Sequence, residues 1–156
     1  MYDVAVIGAG PAGSRVAHLL AEKSRGVIVL ERQASPAEKC CTGIVSVEFV
    51  NKYEIPDSVI LRRASSARLF SPSGVEIHVK RDEPQAVILD RGAFDGFLRE
   101  RGEKAGAEFR YGSKVSGLEI KPDGIVITAS ECDKESKIEA KAAVIACGYV
   151  PALLKR

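Results

Sequence analysis

The sequence predicts an α/β fold with a parallel central sheet, a β-meander and a small β-hairpin insert. Two observations predict it. A strand, a helix and a strand follow one another in residues 2–30, and strand patterns separated by turns fill residues 107–146. The chain has 156 residues, 46% hydrophobic and 28% charged, which is the composition of an ordinary globular domain. We therefore expect residues 1–156 to form a single domain.

The first three elements form a βαβ unit. Tyr2–Ile7 is a short apolar run, typical of a strand buried in a parallel sheet. Residues 11–23 carry apolar side chains at helical spacing and begin with Pro11, where a missing N–H costs nothing. Residues 27–30 form a second apolar strand, so the crossover between the two strands is expected to be right-handed.

The middle of the chain is less regular. Ser35-Pro36 and residues 40–43 indicate a loop, and residues 45–53 predict a short helix. Residues 67–80 alternate apolar and polar side chains around a Ser-Pro-Ser-Gly turn, which predicts a hairpin. A strand over Ala86–Leu89 and a helix over Arg91–Lys104 follow, with Asp90 placed to cap that helix.

The last third of the chain predicts the β-meander. Three strands are expected between residues 107 and 140, with turns at residues 121–124 and 132–136. Residues 142–146 then predict a buried closing strand that ends before Gly148.

Charge, hydropathy and cysteine content argue against several classes of function. The chain has 23 Lys and Arg residues and 21 Asp and Glu residues. Its net charge of +2 does not predict the basic surface of a nucleic-acid-binding protein. The apolar runs are far shorter than the roughly 20 residues of a membrane-spanning helix. No signal-peptide pattern follows Met1, so we expect a cytoplasmic protein with free thiols. The four cysteines contain no Cys-x-x-Cys and the two histidines are isolated, so no metal site is expected.

The strongest signal for function is a complete G-x-G-x-x-G, Gly8-Ala9-Gly10-Pro11-Ala12-Gly13, between the first strand and the first helix. Gly8 permits a tight turn, Gly10 lets the backbone approach a pyrophosphate, and Gly13 lets the helix pack closely on the strand. Glu31, at the end of the second strand, is placed to accept hydrogen bonds from an adenosine ribose. These features predict a Rossmann-like dinucleotide-binding domain; the alternative is a glycine-rich turn that binds nothing.

Glu31 also discriminates among dinucleotides. A carboxylate about 4 Å from a 2′-phosphate is repelled by ~4 kcal/mol at an effective dielectric constant near 20, which disfavours NADP. The residues alone leave FAD and NAD open.

Two groups of residues resemble known flavoproteins. Residues 6–14 and 30–32 resemble the opening of FAD-dependent oxidoreductases of the glutathione-reductase-like fold. Residues 39–44 and 89–95 resemble the geranylgeranyl reductase family. Lys39, Cys41 and Gly43 match its Lys-x-Cys-Gly-Gly stretch, although Thr42 stands where a glycine is usual. Arg91, Phe94 and Asp95 match its Arg-x-x-Phe-Asp segment.

The resemblance implies FAD as the cofactor and a set of residues that bind it. It implies hydride transfer from the flavin to a carbon–carbon double bond of an isoprenoid or related small-molecule or lipid substrate, with an electron donor such as NAD(P)H or ferredoxin. Membrane contact is implied only through a lipid substrate, and no catalytic residue is assigned. The implied FAD-binding residues are Gly8, Gly10, Pro11, Ala12, Gly13, Ser14, Glu31, Arg32, Cys41, Thr42, Gly43, Arg91, Val115, Cys147 and Gly148.

Other readings of these residues remain open. A flavin-dependent monooxygenase or halogenase shares much of the pattern, and a dinucleotide-binding module without catalysis is a third reading. Arg91 could be a solvated helix-terminal arginine, and Cys41 a small residue that lets a loop pass close to the ring. Arg62, Arg63 and Arg68 could attract an acidic substrate, or form a solvated charged face.

The resemblance covers only part of the family's length. The family's later Gly-Asp flavin motif and its substrate domain do not occur in these residues, and residues 151–154 are typical of the start of a helix. We therefore expect this chain alone to bind FAD weakly and not to turn over substrate.

Overall fold

The computed structural model describes residues 1–34, 41–132 and 134–150. The chain divides into two compact units: the first unit contains residues 1–37 and 95–156, and the second unit contains residues 38–94. The predictions for Ser35-Pro36, Lys39, Cys40 and residues 151–154 lie outside the described residues.

The elements alternate strands and helices at the start of the chain and become mostly strands later. The helices are α1 (Pro11–Ala21), α2 (Val47–Lys52) and α3 (Arg91–Lys104), and Asp57–Val59 forms a short 3-10 turn. The strands are β1 (Tyr2–Ile7), β2 (Val27–Glu31), β3 (Ile44–Ser46), β4 (Ile60–Ala64), β5 (Ser66–Phe70), β6 (Glu76–Lys80), β7 (Ala86–Leu89), β8 (Glu108–Tyr111), β9 (Lys114–Lys121), β10 (Gly124–Glu131) and β11 (Lys134–Ile145).

The first unit is built on a six-stranded sheet in the order β8-β2-β1-β11-β10-β9. Strands β8, β2, β1 and β11 run parallel; β10 pairs antiparallel with β11, and β9 pairs antiparallel with β10. The predicted α/β fold with a parallel sheet and a meander is therefore confirmed.

Burial on both faces explains why β2 is an uninterrupted apolar run. Ile28 and Leu30 pack into a core with Ala5 on one side of the sheet. Val27 and Val29 pack on the other side, with Ala17 of α1. Because successive side chains of a strand point to opposite faces, a strand covered on both sides must be apolar throughout.

The strands after residue 107 differ from the prediction in two places. The expected first meander strand is two strands, β8 and β9, separated by Gly112 at a φ of +71°. The expected third meander strand and the closing strand are one 12-residue strand, β11. It pairs antiparallel with β10 near its start and parallel with β1 near its end, so no turn interrupts it. Its end is less buried than predicted, since Ile145 is 42% exposed.

The second unit contains a three-stranded sheet, β3-β7-β4, and a separate two-stranded hairpin, β5-β6. The hairpin and the Ala86–Leu89 strand are confirmed. The helix expected over residues 45–53 is shorter, because Ser46 ends β3 and caps α2 by accepting the Phe49 N–H at 3.0 Å. Asp90 caps α3 as predicted, its Oδ1 accepting the Ala93 N–H at 2.9 Å.

No helix in the described ranges is long and apolar enough to cross a membrane.

Candidate functional site

The glycine loop joins β1 to α1 by a turn that only glycine tolerates at its first position. Gly8 has a φ of +105°, and a Cβ there would lie 2.7 Å from the Ala146 carbonyl oxygen and 2.8 Å from the Cys147 Cα. Both the backbone conformation and the close approach of the strand end therefore require Gly8.

Packing requires glycine at position 13, whereas the backbone conformation at position 10 does not require it. A Cβ at Gly13 would collide with the Gly8 carbonyl oxygen, so Gly13 is required for α1 to pack against the loop. Gly10 has a φ of −69° and a ψ of 179°, an extended conformation that any residue adopts. The fold itself therefore gives no conformational reason for glycine at position 10.

The start of α1 leaves its backbone N–H groups without a side-chain cap. Gly10 is the N-cap residue, Pro11 follows, and the first turn contains no acidic residue. The N-terminus of such a helix attracts anions through these N–H groups and the positive end of the helix dipole. Ser14 is fully buried, and its hydroxyl donates to the Ala9 carbonyl oxygen at 3.1 Å, which secures the loop to the helix.

Glu31 connects the glycine loop to the end of β2. Its Oε2 accepts the Ala9 N–H at 2.8 Å, and its Oε1 accepts the Gln33 N–H at 3.0 Å. Its backbone carbonyl accepts the Ser113 N–H at 2.8 Å. Each carboxylate oxygen keeps a further lone pair, so Glu31 can still accept hydrogen bonds from a ligand.

An open cleft lies beside this carboxylate. It brings together five residues of the predicted site: Gly8, Glu31, Arg32, Val115 and Cys147. Gly148 follows Cys147 at a φ of +70°, with open space where its Cβ would be. The remaining residues of the cleft are Ile7, Leu30, Ser113, Lys114 and Val150.

Ser113 and Lys114 line the cleft and were missed by sequence reasoning. Ser113 is buried, and its hydroxyl donates to Glu131 Oε1 at 2.7 Å. The sequence signal that could have found them is the Gly112-Ser113 pair, which interrupts a strand pattern. In the structure this pair follows Tyr111, the residue of β8 that pairs with Glu31 at the end of β2.

The predicted residues of the second unit form their own cluster. Arg91 Nη1 donates to Cys41 Sγ at 3.3 Å, and the Gly43 N–H approaches the same sulfur at 3.5 Å. Gly43 has a φ of +68°, and a Cβ there would collide with the Leu89 carbonyl oxygen. Thr42 is exposed. The structure thus brings Cys41 and Arg91 together across 50 positions of sequence.

His18, in α1, is a buried titratable group of the first unit. Arg15 Nη1 lies 2.9 Å from His18 Nδ1, and Glu22 Oε1 lies 3.2 Å from His18 Nε2. Because a guanidinium only donates, Nδ1 accepts and the imidazole proton resides on Nε2. Burial lowers the pKa of His18 below its usual 6.5, and the charges of Arg101 and Arg15 act in the same direction.

A network of hydrogen bonds joins Tyr2 of β1 to Glu108 and Arg110 of β8. The Tyr2 hydroxyl donates to Glu108 Oε2 at 2.5 Å, which raises the pKa of Tyr2 and lowers the pKa of Glu108. Arg110 donates to Glu108 at 2.8 Å, and this contact raises the pKa of Arg110. None of the three lines the cleft.

At the end of β8, burial raises the pKa of the Tyr111 phenol. Within the described part of the chain, no group of three or more His, Cys, Asp or Glu side chains could hold a metal ion.

Comparison with known proteins gives one family and several relatives. Residues 2–155 match the family model described as pyridine nucleotide-disulphide oxidoreductase. The chain is 34% identical over 155 residues to the digeranylgeranylglycerophospholipid reductase of Methanosarcina acetivorans, covering 95% of this chain and 38% of the relative. It is 31% identical over 162 residues to the geranylgeranyl diphosphate reductase of Rhodobacter capsulatus, covering 92% of this chain and 41% of the relative.

A solved structure shares the fold. A geranylgeranyl bacteriochlorophyll reductase-like protein from Thermoplasma acidophilum superposes with a TM-score of 0.83 at 24% sequence identity, over 94% of this chain and 39% of that chain. The chain therefore spans about two fifths of the length of these relatives.

Proposed function

Because the chain belongs to the pyridine nucleotide-disulphide oxidoreductase family, we propose that it is the FAD-binding part of a reductase that saturates double bonds of an isoprenoid lipid. The predicted resemblance of the chain to geranylgeranyl reductases is confirmed by the relatives at 31% and 34% identity. FAD is the cofactor of this family of oxidoreductases.

The first unit offers the groups that the nucleotide half of FAD requires. The uncapped start of α1, from Gly10 to Gly13, would hold the pyrophosphate. Glu31 would accept hydrogen bonds from the ribose, and the cleft with Arg32 and Val115 would hold the adenine. The observation that carries the proposal is the position of Glu31: its carboxylate borders the cleft and is fixed to the glycine loop by the Ala9 N–H.

The second unit contributes Cys41, Thr42, Gly43 and Arg91 to the proposal. The basis is their match to the segments of the reductase family, supported by the 3.3 Å contact between Arg91 and Cys41. We propose that they border the flavin ring, with Arg91 positioning the thiol.

Bound FAD supplies hydride transfer, which is chemistry that no side chain of this protein provides. The chain's own residues bind the nucleotide and fix its orientation: Glu31 holds the loop at the end of β2, and Gly13 lets α1 approach it.

The substrate class rests on the relatives, which are named for reducing geranylgeranyl diphosphate and a digeranylgeranylglycerophospholipid. We propose a substrate of the same chemistry, a polyprenyl chain that bears a phosphate group. A soluble electron donor, NAD(P)H or ferredoxin, and a cytoplasmic location complete the proposal.

A chimaera tests this proposal. The part of the Methanosarcina acetivorans reductase that matches this chain is replaced by residues 1–156, and the product is incubated with a reductant and a geranylgeranylated lipid. We expect FAD to be retained after desalting and the lipid mass to rise by about 2 Da for each double bond. A matched chimaera with Gly10→Val should lose FAD.

Two results would contradict the proposal. One is a chimaera that retains FAD but leaves the double bonds intact while the parent reductase saturates them. The other is an oxygenated or halogenated product, which would favour the monooxygenase or halogenase reading.

A further inference from the structure

The hairpin of the second unit stands apart from the other strands. Every residue of β5 and β6 is exposed, and among the strands that the structure describes these two pair with each other alone. A two-stranded hairpin is marginally stable in water, whereas three or more strands with an apolar face are stable. The hairpin would therefore gain stability by pairing with a further strand.

One face of the hairpin is apolar. The pairing sets Ala67 opposite Val79 and Leu69 opposite Ile77. Residues directly opposite one another lie on the same face of a pair, and alternate residues share that face. The apolar face therefore consists of these four residues, and a strand that extends the sheet should continue it.

The hydrogen bonds at the two ends of the hairpin fix the pattern of its ladder. The Ser71 N–H donates to the Val75 carbonyl oxygen at 2.9 Å, and the Arg81 N–H donates to the Ser65 carbonyl oxygen at 2.8 Å. Hydrogen-bonded and non-hydrogen-bonded pairs alternate along an antiparallel ladder. Every second residue counted from Val75 therefore bonds to β5.

Three residues of β6 direct their backbone groups away from β5. The two apolar residues of β6 lie two and four positions after Val75, so their backbone groups bond to β5. Glu76, His78 and Lys80 alternate with them, so their N–H and C=O groups point to the open edge of the strand. Such a row of unpaired backbone groups is a template for another strand.

The sequence of β6 is complementary to itself when two copies run antiparallel. With His78 on the two-fold axis, Glu76 of each copy lies opposite Lys80 of the other, and opposite charges in this position attract. Ile77 of each copy lies opposite Val79, so the apolar faces of the two hairpins join. A shift by one residue would set apolar residues opposite polar ones. Charge and apolar pattern therefore select the same register.

The open edge of β5 lacks this complementarity. By the same alternation its outward residues are Ser66, Arg68 and Phe70, so Arg68 would face its own copy across a two-fold axis. Like charges directly opposite one another are destabilising. Arg68 also forms an ion pair within its own hairpin, its Nε lying 3.4 Å from Glu76 Oε1. Self-association is thus favoured at β6 alone.

We propose that two copies of this chain associate through the open edge of β6 and form a four-stranded antiparallel sheet, β5-β6-β6-β5, with His78 on the two-fold axis. The same surface is used by both copies, so the assembly closes at the dimer. The edge strand has five residues, so the interface is small and the dimer is weak and reversible. The proposal is independent of the proposed function and of bound FAD.

Charge reversal tests the register. In Glu76→Lys both members of the ion pair are lysine, and in Lys80→Glu both are glutamate, so neither variant can form the pair with itself. We expect each variant to dimerise at least about tenfold more weakly than the wild type, measured by sedimentation velocity over a series of chain concentrations. An equimolar mixture of the two variants restores the opposite charges and should dimerise about as strongly as the wild type, which also shows that both are folded.

Glu119→Lys and Lys121→Glu are the matched controls. Both residues are exposed on β9, the edge strand of the sheet in the other unit, where Lys121 Nζ lies 3.7 Å from Glu119 Oε1. They carry the same two charges at similar spacing on another open edge. Neither control should change the dimerisation of the chain.

Amide hydrogen exchange locates the interface. As the chain concentration rises, the N–H groups of residues 76, 78 and 80 should become protected, whereas those of residues 66, 68 and 70 on β5 should continue to exchange rapidly. Four results would overturn the proposal: a wild-type chain that stays monomeric at its highest soluble concentration, a mixture that associates no better than its two components, protection at β5 or β9 in place of β6, or growth into assemblies larger than a dimer.

Discussion

The backbone N–H of Ala9 donates to Glu31 Oε2 at 2.8 Å, which joins the glycine loop after β1 to the end of β2. Glu31 therefore has two roles. It stabilises the glycine loop by satisfying the buried N–H of Ala9, and it presents its remaining lone pairs to the cleft. Dinucleotide recognition and loop stability are thus expected to change together when this side chain is altered.

Replacing Glu31 by glutamine should lower both the stability and the affinity for FAD. Glutamine has one acceptor oxygen, so one of the N–H groups of Ala9 and Gln33 would face an NH₂ group. We expect the free energy of unfolding to fall by about 1–3 kcal/mol, the usual cost of an unsatisfied buried polar group. Urea unfolding measures the stability, and calorimetry measures FAD binding.

Glu135→Gln is the control for Glu31→Gln, because Glu135 is an exposed residue of β11 outside the cleft. It should change neither quantity. Unchanged stability of Glu31→Gln would show that the hydrogen bonds to Ala9 and Gln33 contribute nothing to the loop.

Two glycine substitutions should separate fold from ligand binding. Gly13→Ala places a methyl group against the Gly8 carbonyl oxygen, so α1 must shift, and we expect a loss of about 1–3 kcal/mol of stability. Gly10→Ala is compatible with the backbone at position 10, so stability should stay constant or rise slightly. Affinity for FAD should nevertheless fall in Gly10→Ala. Destabilisation of Gly10→Ala equal to that of Gly13→Ala would refute this division of roles.

Cys41 should be the most reactive of the described cysteines. A guanidinium 3.3 Å from the sulfur stabilises negative charge there, and the thiolate is the nucleophilic form. In a Cys40→Ser background, we expect iodoacetamide to modify Cys41 about three- to tenfold faster than Cys132. Arg91→Gln should remove this difference, and FAD should slow the modification of Cys41.

Peptide mass spectrometry measures these alkylation rates. Cys132 provides the internal control, since it lies in an exposed turn of the first unit. Equal rates at Cys41 in the wild type and in Arg91→Gln would show that the arginine has no influence on the thiol.

His18 should make stability depend on pH. Its folded pKa lies below the usual 6.5, so the unfolded chain takes up the proton first as the pH falls. Stability from this residue is complete above about pH 6.5 and decreases below it, until the pH passes the lower folded pKa. The free energy of unfolding should thus rise between pH 5 and 7, and His18→Gln should flatten the rise. The control is His78→Gln, at an exposed position of β6, which should retain the wild-type dependence of unfolding free energy on pH. The same pH dependence in the wild type and both variants would exclude a role for His18.

Much of the fold could be predicted because its signals are local. The apolar runs of β1 and β2, the glycine motif and the cap at Asp90 all depend on residues within a few positions of one another. The Gly8–Gly13 loop and Glu31 could be placed together for the same reason, since a βαβ unit leaves few alternatives for where its strand ends meet.

What could not be predicted depends on distant pairings. The continuity of β11 follows from its pairing with both β10 and β1, and β8 is a strand because it pairs with β2, some 80 residues earlier. The contact of Arg91 with Cys41 has no local signature either. Nor does the open apolar face of the hairpin, because alternation of side chains normally indicates a buried face.

The most direct test of the central claim is calorimetric titration of this chain with FAD and, separately, with NAD. We predict that FAD binds with one-to-one stoichiometry, that Gly10→Ala weakens it by at least about tenfold, a loss of about 1.4 kcal/mol, and that NAD binds more weakly. Tight binding of NAD with no detectable affinity for FAD would contradict the assignment of the cleft and the glycine loop to the flavin nucleotide.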